Sequence, residues 1–120
     1  MAHAINWFEI PSADFERAVT FYNTILNTTL REELFNGVPN AIFQTGEDQI
    51  GGAVVHTDVQ PSASGAIVYL NADNQIEQIL QRVEPAGGQI LLPRTSIGDP
   101  GWIALFIDSE GNQVGLHSPV

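Results

Sequence analysis

Apolar and polar residues alternate with period two over residues 5–10, then apolar residues recur at helical spacing at Phe15, Ala18, Val19, Tyr22, Ile25 and Leu26. The first stretch predicts a strand with Asn6, Phe8 and Ile10 on one face and Ile5, Trp7 and Glu9 on the other. The second predicts a helix whose apolar stripe packs on a sheet. Pro11 stops the strand, and Asp14 stands where an N-cap is needed. Residues 29–35, 41–44 and 50–56 read as three further strands, separated by Asn36-Gly37 with Pro39 nearby and by Gly46-Glu47-Asp48.

The same order then repeats. Ile67-Val68-Tyr69-Leu70 leads into a helix after Asp73, with Ile76, Ile79, Leu80 and Val83 on one stripe and Gly87-Gly88 as its stop. Residues 89–92 predict a strand and 93–101 a loop. Residues 102–107 and 113–117 predict a hairpin across Ser109-Glu110-Gly111-Asn112. A single domain therefore divides into module one over 4–57, a linker at 58–64 and module two over 65–118. A repeat of roughly 55 residues is too long for a solenoid turn and suits a duplicated unit that leaves a cleft between its copies. The expected class is α+β, with helices on one sheet face and the opposite face free.

Composition removes several chemistries. Without cysteine there is no disulfide, thiol nucleophile or thiolate metal site. Without lysine there is no Schiff base. The formal charge is -10, and the cations are Arg17, Arg31, Arg82 and Arg94, so neither nucleic acid nor an anionic membrane is an expected partner. No apolar run approaches the roughly 20 residues of a membrane span. Met1-Ala2-His3-Ala4 lacks a charged stretch followed by an apolar one, which leads to a cytoplasmic expectation with His3 in a frayed terminus.

Phe8-Glu9-Ile10-Pro11, followed by Asp14, Arg17-Ala18 and Phe21-Tyr22, and the closing Asp108-Ser109-Glu110-Gly111-Asn112 resemble the vicinal oxygen chelate superfamily of glyoxalases, bleomycin-resistance proteins and dioxygenases. The chain looks most like its small members related to lactoylglutathione lyase. The resemblance implies two βαβββ modules pairing into a cupped, mostly antiparallel eight-stranded sheet with helices outside, commonly as a homodimer. The modules pair either within one chain or between two. It also implies a divalent metal held by one His or Glu from the first and last strands of each module. Here those positions fall on Trp7, on Gly51 or Gly52, on Ile67 and on Gly115. None offers a ligand, so neither the metal nor its activity carries over, and no cofactor is expected.

Strand parity leaves Glu9, Tyr69, Asn71 and His117 as polar groups facing the cup, with Gln113 beside them. Glu9, flanked by Trp7 and Phe8, is a candidate general base whose pKa desolvation would raise; a structural ion pair with His117 or Arg94 explains it equally well. Tyr69 or His117 would then serve as acid or oxyanion donor. A divalent zinc, manganese or iron site shifted by one pleat onto Glu9, His56 and His117 is the alternative metal reading. Trp7, Asn71, Arg94, Trp102 and Gln113 are candidate ligand contacts, the aromatics as lining and Arg94 toward an anion. Asp108-Ser109-Glu110-Gly111-Asn112 is expected to be a capped tight turn without chemistry. Two functions follow: a metal-independent binder of a small organic molecule, or a lyase or isomerase working through Glu9.

Overall fold

A computed structural model describes residues 3–120. Its strands and helices are β1 (Trp7–Pro11), α1 (Phe15–Leu26), β2 (Arg31–Phe35), β3 (Val38–Ile42), β4 (Gly51–Val55), β5 (Val68–Asn71), α2 (Ile76–Val83), β6 (Gln89–Ser96), β7 (Trp102–Ile107) and β8 (Gln113–Ser118). The eight strands form two four-stranded sheets, ordered β1-β4-β3-β2 and β5-β8-β7-β6. In each, the first strand runs parallel to the last and the other pairings are antiparallel. The duplication is therefore real in three dimensions, but the eight strands divide into two sheets, with β1 and β5 each at a sheet edge.

Local chemistry explains most element ends. Asp14 caps α1 by accepting from the Arg17 amide at 3.1 Å, and Asn27 closes the helix in the left-handed region with φ 51°. Asn36 and Gly37 both take positive φ, as a two-residue primed hairpin turn demands. That tight turn starts β3 at Val38, three residues before the expected position. Pro39 is tolerated there because the β3–β4 ladder begins only at Asn40. β6 runs to Ser96, beyond the expected Leu92, because two register shifts absorb Pro93 on an edge strand.

One core unites the modules. Ile25, Val54, Ile79, Phe106 and Leu116 belong to the same buried cluster, so both helices and the inner faces of both sheets share it. Helix α1 lies between the two sheets: Tyr22 meets Phe43 edge-on at 5.7 Å, and Phe21 meets Phe106 at 5.9 Å. No helix among the described residues is long and apolar enough to cross a membrane.

Candidate functional site

The faces turned away from the helices carry the residues that the repeat pattern singled out. Trp7 pairs with Gly51, and Tyr69 pairs with Gly115. A Cβ built on Gly51 would sit 3.5 Å from Trp7 Cζ3, and one on Gly115 would meet Tyr69 Cε1 at 2.5 Å. Each glycine is thus overlain by an aromatic from its neighbouring strand, an arrangement that restores packing where glycine supplies none. Gly52 turns the other way, against the Phe8 ring. The positions that the resemblance assigns to a metal, Trp7, Gly51 or Gly52, Ile67 and Gly115, carry no carboxylate or imidazole side chain, so these residues do not fit the metal.

The two aromatic–glycine pairs are not equivalent. The Ser12 amide bonds the Val55 carbonyl at 2.9 Å, and the Ala72 amide bonds the His117 carbonyl at 2.8 Å. Matching these bonds places Ile67 at Trp7, Tyr69 at Glu9 and His117 at Val55. The modules share a backbone while their chemistry is offset by one pleat.

The expected constellation is only partly assembled. Tyr69, Asn71 and His117 line one recess of about 390 Å³ with Asp73 and Pro119. Glu9 lies apart, on a recess of about 160 Å³ with Gln113 and the linker residues Gln60, Ser62 and Ser64. Glu9 is exposed, so the desolvated setting expected of a general base is absent. Neither expected partner reaches it: His117 Nε2 lies 2.6 Å from the Pro100 carbonyl, and Arg94 stacks 3.7 Å over Trp102. His56 sits past β4 with Nδ1 2.9 Å from the Ser12 carbonyl. Among the described residues no three His, Cys, Asp or Glu side chains gather as a metal site, so Glu9, His56 and His117 do not form the shifted one. Asn71 accepts from the Asp73 amide at 2.9 Å in a local turn.

Two ligand-contact expectations need correction. Trp102 alternates with Ala104 and Phe106 toward the shared core, so it faces the helices and not the opposite side. Arg94 lies in β6, not in a loop, and its guanidinium is held on Trp102.

A cleft of about 980 Å³ opens between the modules. Phe8, Phe43, Ile67 and Tyr69 supply its apolar wall, and Gln44, Thr45, Asp48, Gln49, Asn71 and Asp73 its polar rim. His3, expected in a frayed end, also lines it. Every residue from Ala66 to Asp73 contributes. Alternate side chains of a strand point to opposite faces, so only a cleft running along the free edge of β5 can touch all eight. The loop between β3 and β4 and this edge carry no sequence motif. Their role depends on which edges are left uncovered.

The turn between β7 and β8 clasps module one. Asp108 Oδ1 accepts from the amides of Glu110 and Asn112 at 2.8 and 2.9 Å, and Oδ2 accepts from the Tyr22 hydroxyl at 2.7 Å and Asn112 Nδ2 at 3.0 Å. Asn112 Nδ2 also donates to the Pro11 carbonyl at 2.8 Å. Burial, then the charge of Asp108 and the hydrogen bond to it, push the Tyr22 hydroxyl pKa well above its ordinary value. Glu110 accepts from the amides of Ala13 and Asp14 at 2.9 and 2.6 Å and from Arg17 Nε at 2.7 Å, at the start of α1. The turn is capped as expected; its reach to the other module was not legible.

Burial alone would raise the Glu110 pKa, but hydrogen bonds from Arg17, the Asp14 amide and Ser109 outweigh it and hold it below the ordinary value. A lowered folded pKa makes this stabilisation complete above the glutamate pKa of the unfolded chain. It is lost as pH falls through the folded value. Melting temperatures followed from neutral to acid pH should therefore stay level and then drop, with a shallower acid drop in Glu110→Gln. Identical acid profiles for the two proteins would remove Glu110 from this role.

Comparison with known proteins agrees with this architecture. A family model described as "Glyoxalase/Bleomycin resistance protein/Dioxygenase superfamily" matches residues 4–116. "Putative glyoxylase CFP32" of Mycobacterium bovis is 26% identical over 119 residues, covering 92% of this chain but only 44% of the relative. The chain thus spans less than half of that protein. A glyoxalase/bleomycin resistance protein from Albidiferax ferrireducens superposes with a TM-score of 0.70 at 14% identity, over 97% of this chain and 98% of that one. An E144Q glyoxalase I mutant from Zea mays gives 0.68 at 21% identity, over 94% of this chain and 46% of that one. At these identities, the structural matches carry the fold alone.

Proposed function

We propose, from the premise that this chain belongs to the glyoxalase/bleomycin resistance protein/dioxygenase superfamily, that it binds a small organic molecule in the inter-module cleft without the metal set common in that family. The observation that carries this reading is the pairing of an apolar-walled cleft of about 980 Å³ with Trp7, Gly51 or Gly52, Ile67 and Gly115 at the positions the resemblance assigns to a metal. Tyr69 is the residue of greatest weight, because it covers Gly115 and lines both the cleft and the adjoining recess. The lyase or isomerase reading through Glu9 gains nothing from an exposed carboxylate outside the cleft.

A cytoplasmic homodimer belongs to the same proposal. Exposed Ile5, Trp7, Ile67 and Tyr69 around two uncovered sheet edges support a second copy closing the site.

Metal analysis of protein purified without chelator should find no stoichiometric zinc, manganese or iron. A thermal-shift screen of small organic molecules should give hits that Tyr69→Ala weakens by about tenfold, the loss of one aromatic contact. A bound divalent metal at one per chain would sink the metal-free reading. Hits with the same affinity for wild type and Tyr69→Ala would move the site elsewhere.

A further inference from the structure

The geometry points to a cleft that selects its ligand by charge, taking a cationic aromatic molecule and rejecting an anionic one. This rests on the cleft being a small-molecule site, and it adds the ligand's chemical class.

Every arginine side chain is committed away from the cleft. Arg17 pairs with Glu110 at 2.7 Å and Arg31 with Glu33 at 2.9 Å. Arg82 Nη1 donates to the Ile25 carbonyl at 3.1 Å, and Arg94 stacks on Trp102 at 3.7 Å. The chain has no lysine. An anionic ligand entering the cleft would lose hydration with His3 as the one basic side chain among the described lining residues to replace it, inside the field of a chain of net charge -10.

The lining is suited to the opposite charge. Asp48 and Asp73 both face the cleft, are exposed, and take part in no ion pair among the described residues. Tyr69 presents exposed aromatic surface to the same space, and the half-buried Phe8 and buried Phe43 contribute ring edges to its wall. A ring bearing an ammonium group could stack on Tyr69 while its charge meets a carboxylate at the rim.

Three probes of one shape test this: (1-naphthylmethyl)trimethylammonium, 1-naphthalenemethanol and 1-naphthalenesulfonate. Binding is measured by calorimetry on wild type and on Asp48→Asn/Asp73→Asn. Asparagine preserves shape at both sites and tolerates the positive φ of 62° at Asp48. In dilute buffer the cation should bind at least about tenfold more tightly than the sulfonate. The gap should close at about 0.3 M salt and in the double variant, where the cation should lose more affinity than the alcohol. A sulfonate that binds as tightly as the cation, or a gap that survives the double substitution, overturns the charge rule while alcohol binding upholds the cleft as a site. If none of the three binds, both readings fall.

Discussion

Replacing Asp108 with alanine should cost about 3–5 kcal/mol, the largest loss expected from any single polar side chain in this protein. Asp108 is 3% exposed, and its two oxygens accept four hydrogen bonds. Alanine would leave the Tyr22 hydroxyl, the Asn112 side-chain amide and two backbone amides without that acceptor, in a place where water cannot easily enter. An unmet buried donor costs about 1–3 kcal/mol, and the sum is limited by how far the turn relaxes. For a domain of this size, the melting midpoint should fall by on the order of 10–20 °C. Tyr22→Phe removes only one donor and leaves Asp108 with three, so its cost should be about 1 kcal/mol. Chemical denaturation of the two variants measures both values. Equal losses would mean that the Tyr22 bond dominates and that the backbone amides contribute little.

The second large effect is expected at Gly88. A Cβ there would come within 2.6 Å of the Ile107 carbonyl, 2.8 Å of Phe21 Cε1 and 2.9 Å of Val83 Cγ1. The carbonyl belongs to β7, which is held on both sides by β6 and β8 and cannot retreat cheaply. Gly88→Ala should therefore cost about 3 kcal/mol through overpacking at the junction of α1, α2 and β7. Gly87 is the control. A Cβ there meets nothing within 4 Å, but its φ is 106°, so Gly87→Ala should cost only the backbone strain of about 1–2 kcal/mol. The two variants, unfolded side by side, separate crowding from backbone conformation. A larger loss at Gly87 than at Gly88 would contradict the packing account.

These two glycines also show how far sequence reading reaches. As a pair they read as a helix stop, and the end of α2 closes on them: just past Val83, Gly87 takes φ 106° and the Gly88 amide bonds the Val83 carbonyl at 2.9 Å. Gly88 is required by the side of Phe21, a residue of the other module and 67 positions away. Asp108 gives the same lesson. Its turn was legible from composition, because aspartate, glycine and asparagine satisfy a tight turn locally. Its bond to Tyr22 spans 86 residues and leaves no local trace.

Within the candidate site the division is similar. Parity placed Trp7, Glu9, Tyr69 and His117 on the faces away from the helices, because period-two alternation is a property of each strand by itself. It does not bear on Arg94, which reads as a loop residue from the sequence but lies in β6. Two register shifts in β6 move Arg94 out of its expected loop and onto the Trp102 ring. The Glu9 expectation failed for another reason. Flanking aromatics suggested desolvation, but burial depends on what lies opposite a residue, and Glu9 faces an open recess.

The sequence by itself determined the order of the elements, the duplication of the module, the cap at Asp14 and the hairpin at Asn36-Gly37. Each rests on residue type or on spacing within one element. Tertiary structure alone decided that β1 and β5 remain edges, that the cleft follows the edge of β5, that the arginines are committed elsewhere, and that Asp108 and Glu110 lock one module to the other. Those outcomes depend on which surfaces meet across long chain separations. Local periodicity cannot specify that meeting.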